Sequence, residues 1–280
     1  ERLAGIWRSD TIQAEIIVRP TSTAEVAAVM KLCHARNQHV VVHGGLTGLV
    51  HAGDTRSSDV VISTERMNRI EELDTLGRTM TLQSGVPLQL VHEAAEAAGL
   101  MFPVDLGARG SCQIGGNVST NAGGLRVIRY GMTRDNVLGL EAVLSDGSVV
   151  SSMNHMLKNN SGYDLKHLFI GSEGTLGVVT EITLKLQGIP EAVASGICPF
   201  PSVKAACDAV ILAIQTGLGV SRIELLDALQ VKACNAYSRL TLPETPMLFV
   251  EFQGTEAGVA ELSDRFAEIA AESGGGPYEW

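Results

Sequence analysis

Aromatic side chains make up only 4% of the 280 residues, so there is little from which to build the stacking platforms that hold single-stranded nucleic acid. Basic charge is also short: 21 Lys and Arg stand against 31 Asp and Glu, for a net charge of −10. No Lys/Arg block offsets this locally, and such a surface repels phosphate backbones and anionic membranes. No nucleic-acid partner is expected. Cysteine is sparse: Cys33, Cys112, Cys198, Cys207 and Cys234 are odd in number, scattered and never spaced as CxxC. That argues against a disulfide framework or a structural zinc site and leaves reduced, mostly buried thiols in a cytoplasmic protein as the expectation. No apolar run reaches spanning length and no signal peptide opens the chain. Peripheral membrane association stays open beside the cytoplasmic location.

What is present is core material and glycine. Hydrophobic residues make up 45%, charged residues 19%, and there are 30 glycines, the composition of a globular enzyme and not of a disordered tail. Ser22-Thr23-Ala24-Glu25 has the S-x-x-E form of a capping box, and Val26, Val29, Met30 and Cys33 follow at helical spacing, so a helix is predicted to about Arg36. His39 to Val42 reads as a buried strand breaking into Gly44-Gly45, Val60 to Ile62 as a second, and Thr79 to Ser84 as a third with alternating character. Pro87 opens a helix that runs to Ala98 and is stopped by Gly99. Gly110 to Gly124 reads as loop. Leu140–Leu144 and Val149–Val150 flank an Asp146-Gly147 turn, which predicts a hairpin. Val178 to Leu186 is a long strand. After Pro190 strands and helices alternate: strands at 194–198, 220–226 and 247–252, helices at 202–216, 227–237 and 258–271. This suggests a separate α/β or α+β unit, with the boundary near 188–192. The opening at Glu1 and the ending at Trp280, just past Gly274-Gly275-Gly276-Pro277, read as cut ends.

Three stretches carry candidate chemistry. The first is His43-Gly44-Gly45-Leu46-Thr47-Gly48-Leu49, directly after a predicted strand. Glycines let the backbone approach a ligand closely and let successive N–H groups converge on an anion such as a diphosphate. It is not the Rossmann dinucleotide fingerprint, which needs G-x-G-x-x-G opening a helix and an acid about twenty residues on. The bland alternative is a plain Gly-rich turn. The second is Pro103-Val104-Asp105-Leu106-Gly107 leading into Gln113-Ile114-Gly115-Gly116-Asn117-Val118-Ser119-Thr120-Asn121-Ala122-Gly123-Gly124. Its small residues leave room for a flat ring, and its Asn, Ser and Thr supply neutral donors and acceptors; the alternative is a solvated loop with tight turns. The third is Lys158 to Lys166 followed by Gly171-Ser172-Glu173-Gly174-Thr175-Leu176-Gly177-Val178-Val179, a Gly-rich turn entering a strand.

With Arg129-Tyr130-Gly131 and Arg134-Asp135-Asn136-Val137-Leu138-Gly139-Leu140-Glu141 between them, these motifs in this order resemble the FAD-linked oxidases of the vanillyl-alcohol oxidase type, the PCMH-type FAD-binding superfamily. Within it they resemble the D-lactate dehydrogenases, the glycolate oxidase flavin subunit and the D-2-hydroxyglutarate dehydrogenases. The resemblance implies an α+β fold: a two-subdomain FAD-binding domain over residues 1–188, with subdomains of about 1–75 and 76–188, followed by the start of an α/β substrate or cap domain over 189–280, truncated at its C-terminus. It implies FAD cradled at its diphosphate by Gly44 to Leu49. It implies that Pro103, Asp105, Gly107, Gln113, Ile114, Gly115, Gly116, Asn117, Ser119, Thr120, Asn121, Gly124 and Arg126 line the diphosphate and flavin. Glu173, Gly174, Gly177, Val178 and Val179 would face the adenine and ribose. Some relatives attach flavin covalently through a His in the first loop; Thr47 stands in that place, so the FAD is expected to be non-covalent. His43 stands where several relatives carry Arg, and His51 where they often have Gly.

The implied activity is oxidation of a D-2-hydroxy acid (D-lactate, glycolate or D-2-hydroxyglutarate) to the 2-oxo acid by hydride transfer to flavin N5, with electrons passed to a quinone, a cytochrome or an electron-transfer flavoprotein. The alternative is a non-catalytic flavin-binding subunit of a larger complex. A homodimer is expected by family analogy alone. The relatives' base and divalent-metal ligands come from a later His-rich stretch, and H-x-G-D-G-x-x-H does not occur among the seven histidines here. No catalytic residue and no metal ligand is therefore nominated; a metal enters only through a further C-terminal part. Arg126, Arg129 and Arg134 could lean toward a substrate carboxylate, a structural ion pair of Arg134 with Asp135 or Glu141 being the stronger reading.

Overall fold

Local signals set most helix boundaries in the computed structural model, which describes residues 3–280. The Ser22 hydroxyl accepts from Glu25 N at 3.3 Å and starts the helix Thr23–Ala35. The Glu25 carboxylate reaches back to Thr21 N, at 2.7 Å, one residue before its expected partner. Ser202, Asp227 and Thr255 cap the helices Val203–Gln215, Ala228–Ser238 and Glu256–Glu272 in the same way. Pro87 precedes the helix Leu88–Ala97, and Gly99 follows it at φ +72, a left-handed turn that glycine adopts without strain.

The chain divides into two compact units. One holds residues up to Gly124 and then Met132–Ile189; the other holds Leu125–Gly131 and Pro190–Trp280. In the first unit, strands Ile16–Val18, Val60–Ser63 and Val40–His43 form a parallel sheet in that spatial order. The strand at Val40 was expected to be wholly buried, but Val41 and His43 are buried and Val40 and Val42 half-buried.

The five-stranded sheet is antiparallel, in the order Ile70–Asp74, Thr79–Gln83, Val178–Lys185, Val137–Val143, Val149–Ser151. Its last hairpin turns at Asp146-Gly147, with Gly147 at φ +86. The alternation in Thr79–Gln83 does not mark a wet face, because every residue of the strand is buried. Met80 and Leu82 enter the core with Leu88, Val91 and Ala95 of the neighbouring helix, while Thr81 hydrogen-bonds across to Thr183 at 3.1 Å.

The predicted loop 110–124 contains a six-residue helix, Ile114–Ser119. Two glycines make it a poor helix on propensity. Tertiary contacts compensate: Ile114 N and Gly115 N donate to the Val86 and Ser84 carbonyls at 3.0 and 2.7 Å, and Ile114 and Val118 are buried in the core. The Ser119 and Thr120 hydroxyls return to the Gly115 and Gly116 carbonyls at 2.7 and 2.9 Å.

The second unit is a three-stranded sheet, Ala192–Pro199, Met247–Gly254 and Val220–Leu226 in spatial order, antiparallel throughout. Antiparallel pairing makes this unit α+β. Its core joins Phe252, Leu248 and Val250 to Ala206, Ala209 and Ala213 of one helix and Val259, Phe266 and Ile269 of another.

Candidate cofactor-binding site

The strand Val40–His43 delivers its last residue into a buried position, where His43 Nε2 lies 2.8 Å from the Gly53 carbonyl. A carbonyl only accepts, so Nε2 carries the proton. His43 therefore ties the two ends of the loop together and is not part of the cavity wall. A Cβ on Gly45 would overlap the Ser111 carbonyl oxygen, so only glycine fits there. Leu46 and His51 hold left-handed φ values of +54 and +63; His51 thus stands in a conformation that glycine adopts more cheaply. The result is a loop whose backbone is turned outward. Among the described residues, the N–H groups of Gly45, Leu46, Thr47 and Gly48 have no acceptor within the protein.

Opposite this loop stands the helix Ile114–Ser119. A Cβ on Gly115 would lie 2.6 Å from Ser84 Cβ, so that glycine seats the helix against the neighbouring backbone. Gly116, one residue on, would meet nothing within 4 Å. Gln113 accepts from the Thr64 hydroxyl at 2.7 Å. Asn117 Nδ2 is buried with no oxygen or nitrogen acceptor, beside the weakly accepting Cys112 thiol. The third segment closes the wall. Glu173, at φ +52, donates its N–H to the Ser119 carbonyl at 2.8 Å, Gly174 turns at φ +79, and Gly177 passes the Val143 carbonyl where a Cβ would sit at 2.7 Å.

These segments enclose a cavity of about 430 Å³, within the range of small-molecule and cofactor sites. Gly44 to Gly48, Gly107, Gln113, Gly115 to Asn117, Ser119, Thr120, Glu173, Gly174 and Gly177 to Val179 all line it. The other nominated residues do not. Leu49 is exposed, Pro103 is buried away from the cavity, and Asp105 faces Arg109 at 3.5 Å. Ile114 enters the core, Asn121 Oδ1 accepts from Arg134 N at 2.9 Å, and Gly124 lets the chain cross Asp105 where a Cβ would lie 2.6 Å from its carbonyl. Arg126 belongs to the second unit, where its guanidinium bonds Glu251 at 2.8 Å.

The other two arginines are also committed. Arg129 bonds Ser221 Oγ and the Gln253 carbonyl. Arg134 donates to the His167 and Ile170 carbonyls, so the expected ion pair with Asp135 or Glu141 is replaced by main-chain bonds that hold the segment before Gly171.

Sequence reading missed the contribution of the N-terminal segment. Ala4 and Arg8 line the cavity, and Ile6 N donates to the Leu46 carbonyl at 3.1 Å. Arg8 is neutralised by Asp10 and Asp54, and it holds both carboxyls below the usual carboxylate range. Val42, Thr64, Leu106, Ala108, Cys112 and Ala122 also line it, and His51 to Gly53 continue the wall beyond Leu49. The small or apolar ones among them give no chemical signal of their own.

Among the described residues the cavity therefore offers neutral donors: backbone N–H groups, an amide and hydroxyls, with Arg8 already paired. That set suits a dinucleotide diphosphate and a flat heterocycle held without a covalent bond. Residues 14–152 match the family described as FAD binding domain, and residues 189–278 the family described as FAD linked oxidases, C-terminal domain. The chain belongs to the FAD-linked oxidases. Its cofactor is FAD, held non-covalently. The probable mitochondrial D-lactate dehydrogenase of Danio rerio is 36% identical over 95% of this chain and 54% of its own length. The mitochondrial D-lactate dehydrogenase [cytochrome] of Arabidopsis thaliana is 38% identical, over 94% and 46%. The mitochondrial D-2-hydroxyglutarate dehydrogenase of Bos taurus is 39% identical, over 93% and 49%. The chain thus spans about half the length of these curated relatives. A solved structure of alkyldihydroxyacetonephosphate synthase superposes with a TM-score of 0.79 at 23% identity, covering 94% of this chain and 52% of that one, and so shares the fold. In this FAD-linked oxidase, no group of described residues could hold a metal ion, and no described helix is long and apolar enough to cross a membrane.

Proposed function

We propose that the full-length protein is an FAD-dependent dehydrogenase that oxidises a D-2-hydroxy acid of the D-lactate, glycolate or D-2-hydroxyglutarate type to the 2-oxo acid. The observation that carries the reading is the outward-turned loop Gly45–Gly48, with its unused N–H groups, facing Gly116 and Asn117 across one cavity. The relatives named as D-lactate and D-2-hydroxyglutarate dehydrogenases narrow the substrate class.

The loop N–H groups hold the diphosphate in this reading, Gly107 and Gln113 to Thr120 line the flavin, and Gly174 and Gly177 to Val179 take the adenine side. When bound, FAD would supply a two-electron acceptor for the hydride on C2 of the hydroxy acid, the hydroxyl proton leaving to a base. The chain's own part is positional. Gly45 and Gly115 fix two walls at backbone contact distance, and Asn117 offers its amide to the cofactor. Electrons then leave to a quinone, a cytochrome or an electron-transfer flavoprotein.

The test is anaerobic mixing of the FAD-loaded full-length protein with D-lactate, D-2-hydroxyglutarate and their L-enantiomers, and with achiral glycolate. Loss of the visible flavin band with a D-acid and not its L-enantiomer, or with glycolate, supports the proposal. A flavin that dithionite reduces but no D-2-hydroxy acid does would refute it.

A further inference from the structure

A second cavity lies in the first unit, at the end of the five-stranded sheet. There the turn after Ile70–Asp74, the end of Val178–Lys185 and the segments carrying Arg134 and Lys166 converge. Its volume is about 590 Å³. The protein as a whole carries a net charge of −10, yet this cavity is lined by Arg78, Arg134, Lys166 and Lys185 against Asp135 and Asp164. None of the FAD-cavity segments contributes to it.

The positive charge is uncompensated for identifiable reasons. Arg134 spends its guanidinium on the His167 and Ile170 carbonyls, which hold it in place without neutralising it. Asp164 is shared between Lys166, at 2.7 Å, and His167, at 2.6 Å. Asp135 accepts from Met132 N at 2.8 Å. Among the described residues, the Arg78 and Lys185 side chains make no hydrogen bond and no ion pair. The two are neighbours at the ends of adjacent interior strands, because Thr79 pairs with Lys185 and Leu186 N donates to the Arg78 carbonyl at 2.8 Å.

We propose that this cavity binds a small, doubly charged anion. An excess of two positive charges calls for a ligand with two negative ones. Like charges gathered in a concave, partly desolvated site raise the local concentration of a counter-ion well above that at a flat surface. Arg78 and Lys185 meet the anion, Arg134 supplies a fixed field behind it, and the paired Lys166 shapes the floor. A phosphate ester and a dicarboxylate share this chemistry. Geometry separates them: a guanidinium grips either oxygen pair with two parallel bonds, whereas the compact phosphate also lets the Lys185 ammonium close on the same group.

The experiment is calorimetric titration of the FAD-loaded protein, its first cavity occupied, with inorganic phosphate and separately with succinate, at mildly alkaline pH and constant ionic strength. The proposal expects saturable one-to-one binding of at least one of them, weakened about tenfold or more in R78A/K185A and retained in R78K/K185R; which probe binds tighter identifies the source. Neither substituted residue touches the FAD cavity, so flavin content and melting midpoint should stay unchanged. Failure of the wild-type protein to saturate with either anion overturns the proposal, as does binding that survives R78A/K185A.

Discussion

Gly115 and Gly116 are adjacent in sequence and opposite in consequence. In the helix Ile114–Ser119 a Cβ on Gly116 meets nothing within 4 Å, and the residue lines the candidate cofactor cavity. Alanine at a helical position is favoured over glycine by roughly 0.5–1 kcal/mol. G116A should therefore raise the melting midpoint of the FAD-free protein by roughly 1–3 °C. On the proposed reading, the same methyl projects into the volume that FAD would take up. Crowding a packed site costs about 1–3 kcal/mol, or roughly 5- to 150-fold in affinity. In G115A the methyl lands 2.6 Å from Ser84 Cβ and 2.9 Å from its carbonyl oxygen, so the FAD-free protein itself should lose about 1–3 kcal/mol. The assay pairs thermal unfolding of FAD-free protein with a flavin-fluorescence titration. If G116A binds FAD as tightly as wild type, the cofactor does not lie against this helix face and the site is wrong. If G115A melts like wild type, the helix is not seated against Ser84.

Three further outcomes follow from the same geometry. Glu251 is 3% exposed and bonded to Arg126 at 2.8 Å and Arg222 at 3.2 Å; E251A leaves two guanidiniums without their buried partner and should cost about 3–5 kcal/mol in chemical denaturation, and an effect below 1 kcal/mol would show that solvent replaces the carboxylate. Burial, reinforced by Glu141 and Glu71, pushes the Glu181 carboxyl above its usual value. Its folded-state pKa is thus above the unfolded one, so the penalty is absent at acid pH and grows as pH rises through the raised value; E181Q should raise the melting midpoint at neutral pH and much less at acid pH, and an equal rise at both would refute the electrostatic origin. Burial also pushes the Cys198 thiol up to about 11 and raises those of Cys33 and Cys112, whereas Cys207 is exposed; a thiol reagent on the native protein should label Cys207 readily and the three buried thiols only on unfolding, and mass spectrometry of the labelled peptides decides.

The elements that the sequence determined are those whose cause is local. Ser22, Ser202 and Asp227 carry side chains that satisfy the first N–H groups of a helix within three residues, and Gly99 and Gly217 turn where any Cβ is strained, so those ends are legible from neighbours alone. The Asp146-Gly147 turn is legible for the same reason. The order of the glycine-rich motifs also carried the family, because it is a property of the chain and not of its folding. The cavity was only partly legible: Gly45 and Gly116 were named, but that Gly45 must lack a Cβ depends on Ser111, whereas a Cβ on Gly116 would meet only open space.

Tertiary structure decided the rest. The strand Ile16–Val18 exists because Val60–Ile62 offers it a parallel edge, and Thr79–Gln83 is buried on both sides because the five-stranded sheet passes through the core. The glycines of Ile114–Ser119, which favour a loop by propensity, are helical because Ser84 and Val86 receive the N–H groups of Gly115 and Ile114. Arg126 sits four residues past Ala122, the last cavity-lining residue of its run, yet Glu251, 125 positions on, claims its guanidinium. A buried carboxylate unites charges that no spacing rule relates, since the free energy of leaving it unpaired exceeds any local preference of the arginine.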